Sequence, residues 1–547
     1  MADIIIVGGG TAGVVLASRL HQRRPELSIL LLEAGPDVSD HPHVAIPSEA
    51  AHLHFSDLDW KYMTVPQKHL NNVPRYNCAI KGLSGGTIIN TGGWIRGDAL
   101  DYDKWAHEVG DERWSYNGLL PYFRRTETHH DANADPEQHG FEGPIHTASV
   151  STSGREYPLR EKILKLWTYL GLERNADANN GHPQGIAELV ENWKDGKRQV
   201  ASNAYPLEGV KVLTNKLVQR IIVEDGVATG VELTDGEVHT IANGGQVVVS
   251  AGAYRTPQVL QLSGIGNLAD LAKHGISPTV NLPEVGRNFH DHLLLFRYWK
   301  LREPEKGYAL GSPHFGGPNY DKGGPVDWLV TSPVPCGPLK AALQKDLGAH
   351  EVSDDHPLLK GPRSHLEMNF LYGAFGAEAQ GLQIPLDGTS IMTFYMGCLP
   401  TSRGSVTLSS TDATQPPLID PNYYSTETDR HIMREGFRMQ SRLMLDTPEG
   451  KELISDEHIP PGLSGGLYAS DEEIDERIKL GGMTTYHPGG SAAMGKVVDG
   501  SLRVFGINNL RVADASVIPQ SLASHYQVIV YAIAEQAVDI ILSEDFS

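Results

Sequence analysis

A short strand, a glycine-rich turn and a helix open the chain, and this combination constrains the fold more than any other feature of the sequence. Residues 4–7 read Ile-Ile-Ile-Val, a β-branched run typical of a strand buried on both faces. Residues 8–13 follow with Gly-Gly-Gly-Thr-Ala-Gly, which satisfies G-x-G-x-x-G, and an amphipathic helical segment comes next. A second apolar strand at 29–32 ends in Glu33. This order predicts a dinucleotide-binding unit of the Rossmann type within an α/β fold.

The residues of the turn have separate physical roles in such a unit. Gly8 permits the tight turn, Gly10 leaves room for a pyrophosphate, and Gly13 allows the helix to pack closely on the strand. Thr11 begins the helix, whose N-terminus stabilises phosphate charge. Glu33 is placed to accept a hydrogen bond from a ribose hydroxyl. The spacing alone does not distinguish a flavin from a nicotinamide dinucleotide.

Charge and composition exclude some functions. The 547 residues carry 46 Lys and Arg against 67 Asp and Glu, a net charge of −21, so the chain would repel a nucleic-acid backbone. No apolar run reaches the roughly 18 residues of a membrane helix, and we expect no membrane partner. The 3 cysteines form no C-x-x-C pair, no N-x-[ST] acceptor occurs, and the first residues enter a strand directly. We therefore expect a cytoplasmic protein; secretion stays open if a signal was removed from the given sequence.

Four further blocks indicate which kind of dinucleotide enzyme this is. They lie at 81–90, 252–266, 285–292 and 487–525, and the third reads Val-Gly-Arg-Asn-Phe-His-Asp-His. Together with the N-terminal turn they resemble the glucose–methanol–choline (GMC) family of FAD-dependent oxidoreductases, in the family's order and over the whole chain. The resemblance implies an α/β fold with a Rossmann-like FAD-binding domain and a second, α+β substrate domain built on an antiparallel sheet.

The resemblance also implies that the FAD-binding domain is discontinuous, because the family builds it from both ends of the chain. The expected division is 1–150, 200–292 and 481–547 for the FAD-binding domain, and 151–199 and 293–480 for the substrate-binding domain. The sequence shows no internal repeat that would suggest another architecture.

Local patterns within the predicted substrate domain indicate its elements. Apolar and β-branched residues predict strands at 364–371 and 390–396. Helices are expected at 430–446 and 471–480. The stretch 303–364 is rich in Gly, Pro and charge and reads as long loops.

The resemblance assigns cofactor contacts residue by residue. Glu33 would bind the adenosine ribose, the backbone of Val218 would pair with adenine, and Asp514 would lie near the pyrophosphate and ribityl chain. The expected FAD contacts are Gly8, Gly10, Thr11, Ala12, Gly13, Glu33, Ala34, Gly85, Thr87, Asn90, Gly92, Val218, Ala251, Asp514, Ala515, His525, Tyr526 and Gln527.

Two departures from the family's pattern concern the cofactor. Residues 83–87 read Leu-Ser-Gly-Gly-Thr where the family usually has Leu-Gly-Gly-Ser-Ser, so the small residues are shuffled but the loop stays permissive. Some relatives attach the flavin covalently through a histidine just before the position of Asn90. Here that residue is Ile89, which has no nucleophile, so we expect noncovalent FAD.

Two histidines are the candidate catalytic residues. His487 lies in Thr-Tyr-His-Pro-Gly-Gly-Ser and His525 in Ala-Ser-His-Tyr. Both coincide with the pair that faces the flavin in the family. Alcohol oxidation removes a hydroxyl proton while a hydride passes to flavin N5, and histidine, with a usual pKa of about 6.5, is suited to take that proton. We expect His487 to be the general base and His525 to orient the alcohol by a hydrogen bond.

The segment that follows His525 is apolar and predicts a buried helix. We expect Ser524 or a neighbour to cap this helix. Its N-terminus would direct backbone N–H groups at the pyrimidine end of the flavin, where charge develops on reduction.

Other histidine pairs are not expected to bind a metal ion. They occur at 41 and 43, 52 and 54, 129 and 130, and 290 and 292. None has a cysteine or carboxylate at ligand spacing. Solvated loops or backbone that lines the cofactor explain these pairs better.

Aromatic residues are the candidates for a substrate pocket, namely Trp94, Phe370, Tyr372, Phe394 and Tyr486. They favour an aryl or other bulky apolar alcohol. The predicted function is FAD-dependent oxidation of the CH–OH group of a small organic alcohol, with dioxygen or a quinone or dye as electron acceptor. Two alternatives stay open, because a fold does not settle function: a flavin-bearing lyase of the hydroxynitrile type, and a flavoprotein without turnover.

Overall fold

The computed structural model describes residues 1–546 and contains two seven-stranded sheets. In the first, the nucleotide sheet, Ala2–Val7 pairs in parallel with Ile29–Leu32 on one side and Val238–Val249 on the other. The strands of the nucleotide sheet follow the order Lys211–Leu213, Ile29–Leu32, Ala2–Val7, Val238–Val249, Val227–Leu233 and Val218–Glu224, with Leu510–Val512 beside Val238–Val249.

The second sheet, here called the antiparallel sheet, has only antiparallel pairs among its named strands. Its order is Ile454–His458, Leu293–Leu301, Ser390–Gly397, Leu366–Leu371, Trp328–Ser332 and Gly185–Glu188, with Met483–Thr484 beside Leu293–Leu301. A separate apolar core lies against this sheet. The predicted fold class, a Rossmann-like domain joined to an α+β domain on an antiparallel sheet, is confirmed.

The strands show where each segment of the chain belongs. The nucleotide sheet takes its strands from the three segments predicted for the FAD-binding domain. The antiparallel sheet takes most of its strands from 151–199 and 293–480, but Met483–Thr484 joins it from the last segment. The chain therefore crosses between the two sheets just before His487.

The C-terminal helix, Tyr526–Glu544, confirms the buried helix predicted after His525. It packs against Thr11–Arg23 and Tyr116–Thr126, and all three helices contribute to the core of the nucleotide sheet. By length and composition alone this helix could cross a membrane. Our expectation that no apolar run reaches the length of a membrane helix is therefore wrong for this segment. However, 78% of its most apolar window is buried inside the protein, which is the pattern of a core helix.

The substrate-domain elements agree with the sequence patterns in four places and differ in one. Leu366–Leu371, Ser390–Gly397, Glu427–Leu445 and Asp471–Gly481 match the predicted strands and helices. The stretch 303–364, predicted to be loops, contains the strand Trp328–Ser332 and the helix Cys336–Leu347. The five residues of that strand are all buried by their neighbours in the sheet, a long-range effect that the surrounding Gly and Pro concealed.

Smaller elements complete the fold. The remaining α-helices of the described residues are Pro42–Ala45, Ala99–Val109, Arg160–Tyr169, Ala201–Ala204, Gly252–Leu262, Leu268–Lys273 and Pro448–Leu453. The short strand groups are Tyr62–Met63 with Tyr76–Asn77, Glu127–His129 with Ile145–Ser149 and Val190–Glu191, Trp193–Lys194 with Lys197–Arg198, Ile265–Gly266 with Val280–Asn281, and Ser405–Thr407 with Leu418–Asp420.

The opening turn has the close contacts that its glycines predict. Gly8 has φ +105°, a backbone conformation that favours glycine. A Cβ at Gly13 would lie 1.9 Å from the carbonyl oxygen of Gly8, so no larger residue fits there. Strand and helix therefore approach each other closely, and the helix N-terminus lies just past the carboxyl end of the central strand Ala2–Val7.

Candidate active site

The N-terminus of the helix Thr11–Arg23 is open to a ligand. Its N-cap is Gly10, and no side chain in the described part of the chain caps it. The nearest atom to a Cβ built on Gly10 is the Cα of Gly85, at 4.0 Å, so space remains beside the turn. Backbone N–H groups at such a terminus bind phosphate oxygens.

The loop at 83–90 lies against this turn. The backbone N–H of Ser84 donates to the carbonyl oxygen of Gly9 at 2.7 Å. Ser84 and Gly85 both have positive φ, +95° and +53°, so the shuffled order of small residues places a serine in a left-handed position. Thr87 Oγ1 accepts from the N–H of Ala201 at 3.0 Å, which holds the loop to the helix Ala201–Ala204.

The other end of that loop contacts the C-terminal helix. The side-chain amide of Asn90 donates to Oε1 of Gln527 at 3.0 Å. Gln527 in turn donates to the carbonyl oxygen of Gly93 at 2.7 Å. The loop therefore connects the glycine turn to the N-terminus of the C-terminal helix.

Glu33 is buried at the end of its strand and binds the turn itself. Its two carboxylate oxygens accept from the N–H groups of Gly9, at 2.9 Å, and Gly35, at 2.7 Å. Burial raises the pKa of the Glu33 carboxyl, while these amides favour its charged form. Glu33 therefore fixes the shape of the turn, and each oxygen keeps a second lone pair for a ribose hydroxyl.

Asp514 joins two further segments of the predicted cofactor site. Its carboxylate accepts from the N–H of Gly252 at 2.8 Å, the hydroxyl of Thr256 at 2.6 Å and the N–H of Ser516 at 2.7 Å. Burial raises the pKa of Asp514. These bonds place its neighbour Ala515 next to the segment that begins the helix Gly252–Leu262.

The remaining predicted cofactor residues surround the same turn and loop or lie along the nucleotide sheet. Ala251 is the N-cap of Gly252–Leu262 and contacts Gly8, and Ala34 follows Glu33. Val218 begins an edge strand of the nucleotide sheet, and Gly92 contacts the Trp193 ring. The open helix terminus, the space beside Gly10 and the position of Glu33 fit a dinucleotide.

The structure brings the two candidate catalytic histidines together. The ring centroids of His487 and His525 are 4.8 Å apart, and both side chains are partly accessible. Nδ1 of His487 lies 3.0 Å from Nδ1 of His292. Nε2 of His525 lies 3.0 Å from Oε1 of Glu367. Each ring is therefore held by one buried partner.

Asp291 holds His487 and His292 through their backbones. One carboxylate oxygen accepts from the N–H groups of His292 and His487, both at 2.9 Å. The other accepts from the hydroxyls of Tyr423 and Thr484, both at 2.5 Å. Burial raises the pKa of Asp291 to about 6, and the four donors favour its charged form.

Electrostatics keep the central imidazoles neutral. Burial lowers the pKa of His487 well below its ordinary value, and the nearby rings of His525 and His292 lower it further. Burial also lowers the pKa of His292 to about 3. A neutral imidazole has one nitrogen with a free lone pair and can therefore accept a proton.

Glu367 is a residue of the candidate site that we did not predict from the sequence. It lies in the strand Leu366–Leu371, is 1% exposed, and bonds His525 across the boundary between the two sheets. A charged residue within an apolar strand is a signal that could have identified it, because such a side chain needs a buried partner.

The N-terminus of the C-terminal helix differs from expectation. Its N-cap is His525, and no described side chain caps it. The buried hydroxyl of Ser524 makes no hydrogen bond to any described residue, so the prediction that Ser524 or a neighbour caps this helix with its side chain is wrong. The uncapped N–H groups at Tyr526 and Gln527 fit the predicted contact with the flavin.

For the pair His290 and His292, the structure contradicts one of our two explanations, that of a solvated loop. Both are buried, at 1% and 0% exposed, rather than part of a solvated loop. Nδ1 of His290 lies 3.1 Å from the hydroxyl of Tyr526, and His292 contacts His487. These two buried histidines therefore contact residues of the candidate catalytic site, Tyr526 and His487.

Two groups of side chains have the composition of a metal site, His43 with Glu49 and His52, and Glu127 with His129 and His139. The ligand atoms of each group lie within 4.8 Å of one another, so carboxylates are nearer to the histidines than the sequence suggested. In the second group Glu127 already pairs with Arg96 at 2.5 Å and with His139 at 2.8 Å, which makes it an ion-pair network. The absence of a bound metal stays a prediction.

Strand alternation decides which aromatic residues face the site. Glu367 faces His525, and Asn369, two residues further, shares its face. Phe394 pairs directly with Asn369, and Phe296 pairs with Phe394, so all lie on this pocket face. The rings of Phe296 and Phe394 are 5.9 Å apart and edge to face.

Three of the predicted pocket residues lie elsewhere. Phe370 is on the opposite face of its strand and packs in the core of the antiparallel sheet. Tyr372 is buried and donates to Asp327 at 2.5 Å. Trp94 is 1% exposed and packs in the core of the nucleotide sheet. Tyr486, which is 37% exposed, adjoins His487 as predicted.

Comparison with known proteins identifies the family. Residues 2–294 and 400–534 match the models of the N-terminal and C-terminal parts of GMC oxidoreductases. The GMC-type oxidoreductase acuG of Aspergillus aculeatus is 43% identical over 546 residues, which cover 99% of both chains. The chain belongs to the GMC oxidoreductase family. It is therefore an oxidoreductase of a class that uses FAD.

Two solved structures resemble the whole chain. Formate oxidase of Aspergillus oryzae, in a study of FAD modification, is 28% identical with a TM-score of 0.87, covering 99% of this chain and 98% of that one. Pyridoxine 4-oxidase of Mesorbium loti is 27% identical with a TM-score of 0.83, covering 98% and 99%.

Glu33→Gln should weaken FAD binding. A glutamine replaces one acceptor oxygen by an NH₂ group that faces the N–H of Gly9 or Gly35, and the charged acceptor for the ribose is lost. We expect a loss of about 1.5–3 kcal/mol in FAD binding, typical of one charge-assisted hydrogen bond. Titration of the apoprotein with FAD measures this change.

Asp37→Asn, a change at an exposed acid nearby, is the matched control and should bind FAD like the unmodified chain. Unchanged FAD affinity in Glu33→Gln would remove Glu33 from the cofactor site.

Proposed function

We propose that the chain oxidises the CH–OH group of a small organic alcohol, with His487 as the general base. The observation that carries this proposal is the pair of imidazole rings with centroids 4.8 Å apart, one of which, His487, has its pKa lowered well below the ordinary value by desolvation. An alcohol hydroxyl is a weak acid, so its oxidation needs a group that takes the proton as the carbon is oxidised. His487 is held in place to do this through Asp291 and His292.

FAD, when bound, supplies the acceptor for the two electrons that leave the alcohol carbon. His525 contributes a second polar group beside His487, and Glu367 fixes the orientation of its ring through the 3.0 Å bond to Nε2. The uncapped N-terminus of Tyr526–Glu544 directs N–H groups toward the same region. These residues orient the hydroxyl and stabilise negative charge next to it.

The pocket face favours an aromatic or bulky apolar alcohol. Phe296 and Phe394 lie on the pocket face of the antiparallel sheet with their rings packed edge to face, and Tyr486 lies beside His487. Aromatic walls bind flat apolar groups, and few polar groups are then needed to orient them. The similarity to an enzyme named for pyridoxine, itself an aromatic alcohol, is consistent with this substrate class.

FAD is proposed to be noncovalent. The position that carries a histidine in covalently flavinylated relatives is Ile89, which packs against a small apolar cluster with Val44 and Leu53. Treatment of the purified yellow protein with acid should release all of the FAD into the supernatant. Flavin that remains with the precipitated polypeptide would contradict noncovalent binding.

The reaction class is tested by mixing the holoprotein anaerobically with a panel of alcohols. Loss of the oxidised-flavin absorbance with a particular alcohol is expected, and re-oxidation by air or by a quinone then identifies the acceptor. Cleavage of a cyanohydrin while the flavin stays oxidised would instead support a lyase. An unchanged flavin spectrum with every alcohol and cyanohydrin would support a flavoprotein without turnover.

The roles of the two histidines predict an order of effects. His487→Ala should slow anaerobic flavin reduction by roughly 10² to 10⁴, the loss typical of acid–base catalysis, while FAD stays bound. His525→Ala should have a smaller effect, and His525→Asn the smallest because an amide can still donate a hydrogen bond. Stopped-flow measurement of flavin reduction ranks the three variants.

Reduction of His487→Ala at the unmodified rate would show that the base is another residue. A larger loss in His525→Asn than in His487→Ala would show that the two histidines have exchanged roles.

A further inference from the structure

A single chain of hydrogen bonds runs from a backbone carbonyl to the candidate base. The hydroxyl of Ser521 lies 3.2 Å from the carbonyl oxygen of Cys398. Nε2 of His292 lies 2.9 Å from the same hydroxyl, and Nδ1 of His292 lies 3.0 Å from Nδ1 of His487. Ser521 and His292 are 5% and 0% exposed, so the partners of this chain are protein groups.

The carbonyl end sets the direction of the chain. A carbonyl oxygen only accepts, so the single proton of Ser521 is donated to Cys398. The hydroxyl oxygen then accepts from His292, which places the ring proton of His292 on Nε2. Since His292 is neutral, its Nδ1 has a free lone pair and can only accept.

Tyr526 does not reverse this direction. Nε2 of His290 lies 3.3 Å from the carbonyl oxygen of Ile518 and therefore carries the ring proton. Nδ1 of His290 must then accept from the hydroxyl of Tyr526, at 3.1 Å. With its proton used there, Tyr526 has none to donate to Ser521, which lies 3.3 Å away.

We infer that His292 is a positioning residue that fixes the tautomer of His487. Because Nδ1 of His292 accepts, Nδ1 of His487 must carry the proton and donate. Nε2 of His487 is then left with its lone pair, the only nitrogen of that ring able to take a proton. The other tautomer of His487 would place two lone pairs against each other and would leave no base.

This inference rests on the proposed function for the catalytic role of His487. The direction of the hydrogen bonds does not depend on that function. In the proposed reaction the O–H bond of the alcohol breaks and an N–H bond forms at Nε2 of His487. The resulting imidazolium still donates from Nδ1 to His292, so the chain does not change direction. The C–H bond of the same carbon breaks as well, and its hydrogen would leave with both electrons, as a hydride, to the FAD that the family uses.

The direct test is ¹⁵N NMR of the holoprotein labelled at histidine, in which protonated and unprotonated ring nitrogens have well-separated chemical shifts. Comparison with His487→Gln assigns the signals of His487. We expect Nδ1 to be protonated and Nε2 unprotonated. The opposite assignment would overturn the inference, whether or not any alcohol is oxidised, so its failure is distinguishable from failure of the proposed function.

Variants at 292 test the same point through catalysis. His292→Phe keeps the ring but removes the acceptor, so His487 should lose its fixed tautomer and flavin reduction should slow by about 10² or more. His292→Asn offers a carbonyl oxygen near the position of Nδ1 and should restore much of both the tautomer and the rate.

His129→Phe is the matched control for loss of a buried histidine, since His129 bonds Thr147 and lies outside the chain of bonds. It should leave the ¹⁵N signals of His487 and the rate of flavin reduction unchanged. A His292→Phe variant that keeps both the Nδ1–H tautomer and the unmodified rate would overturn the role of His292.

Discussion

The carboxylate of Asp291 is the interaction on which the geometry of the candidate site depends. It lies at the junction between the nucleotide-binding part of the chain and the strand Leu293–Leu301. Its four hydrogen bonds reach the hydroxyl of Tyr423, the hydroxyl of Thr484 in the strand Met483–Thr484, and the backbones of His292 and His487. One buried acid thus fixes the relative positions of three segments that are far apart in the sequence, those around 292, 423 and 484–487.

A buried carboxylate is costly unless donors satisfy it, and this one accepts four hydrogen bonds. The same burial makes the neighbouring imidazoles poor cations, because desolvation lowers the pKa of His487 and of His292. The site therefore combines a carboxylate, whose charge is stabilised by four hydrogen-bond donors of the protein, with neutral rings able to accept a proton. That combination suits removal of a proton from a weak acid such as an alcohol.

The sequence predicted the parts of the fold that depend on local pattern. The glycine turn and the helix Tyr526–Glu544 are local features, and the structure has both. The pairing of His487 with His525 was expected only through the family resemblance, since 37 intervening residues separate them in the sequence. Local pattern could not predict that their rings lie next to each other.

Long-range pairing explains what the sequence did not show. Strand alternation gives two faces, but only the partner strands determine which face meets the site. For this reason Phe370 was predicted at the pocket together with Phe394, although it is Asn369 that pairs with Phe394 on that face, and Glu367 was not predicted. Asp291 was visible in its motif, but its role depends on Tyr423 and Thr484, which lie 132 and 193 residues away in sequence.

The most direct test of this account is the rate of anaerobic flavin reduction in two variants of Asp291. In Asp291→Asn the remaining oxygen can accept from both backbone N–H groups, and the new NH₂ group can donate to the hydroxyl oxygens of Tyr423 and Thr484. We therefore predict that Asp291→Asn stays within about tenfold of the unmodified rate, whereas Asp291→Ala loses about 10² or more with FAD still bound. Equal rates in Asp291→Ala and the unmodified protein, or an Asp291→Asn variant as slow as Asp291→Ala, would contradict the claim that the geometry set by Asp291 controls the base.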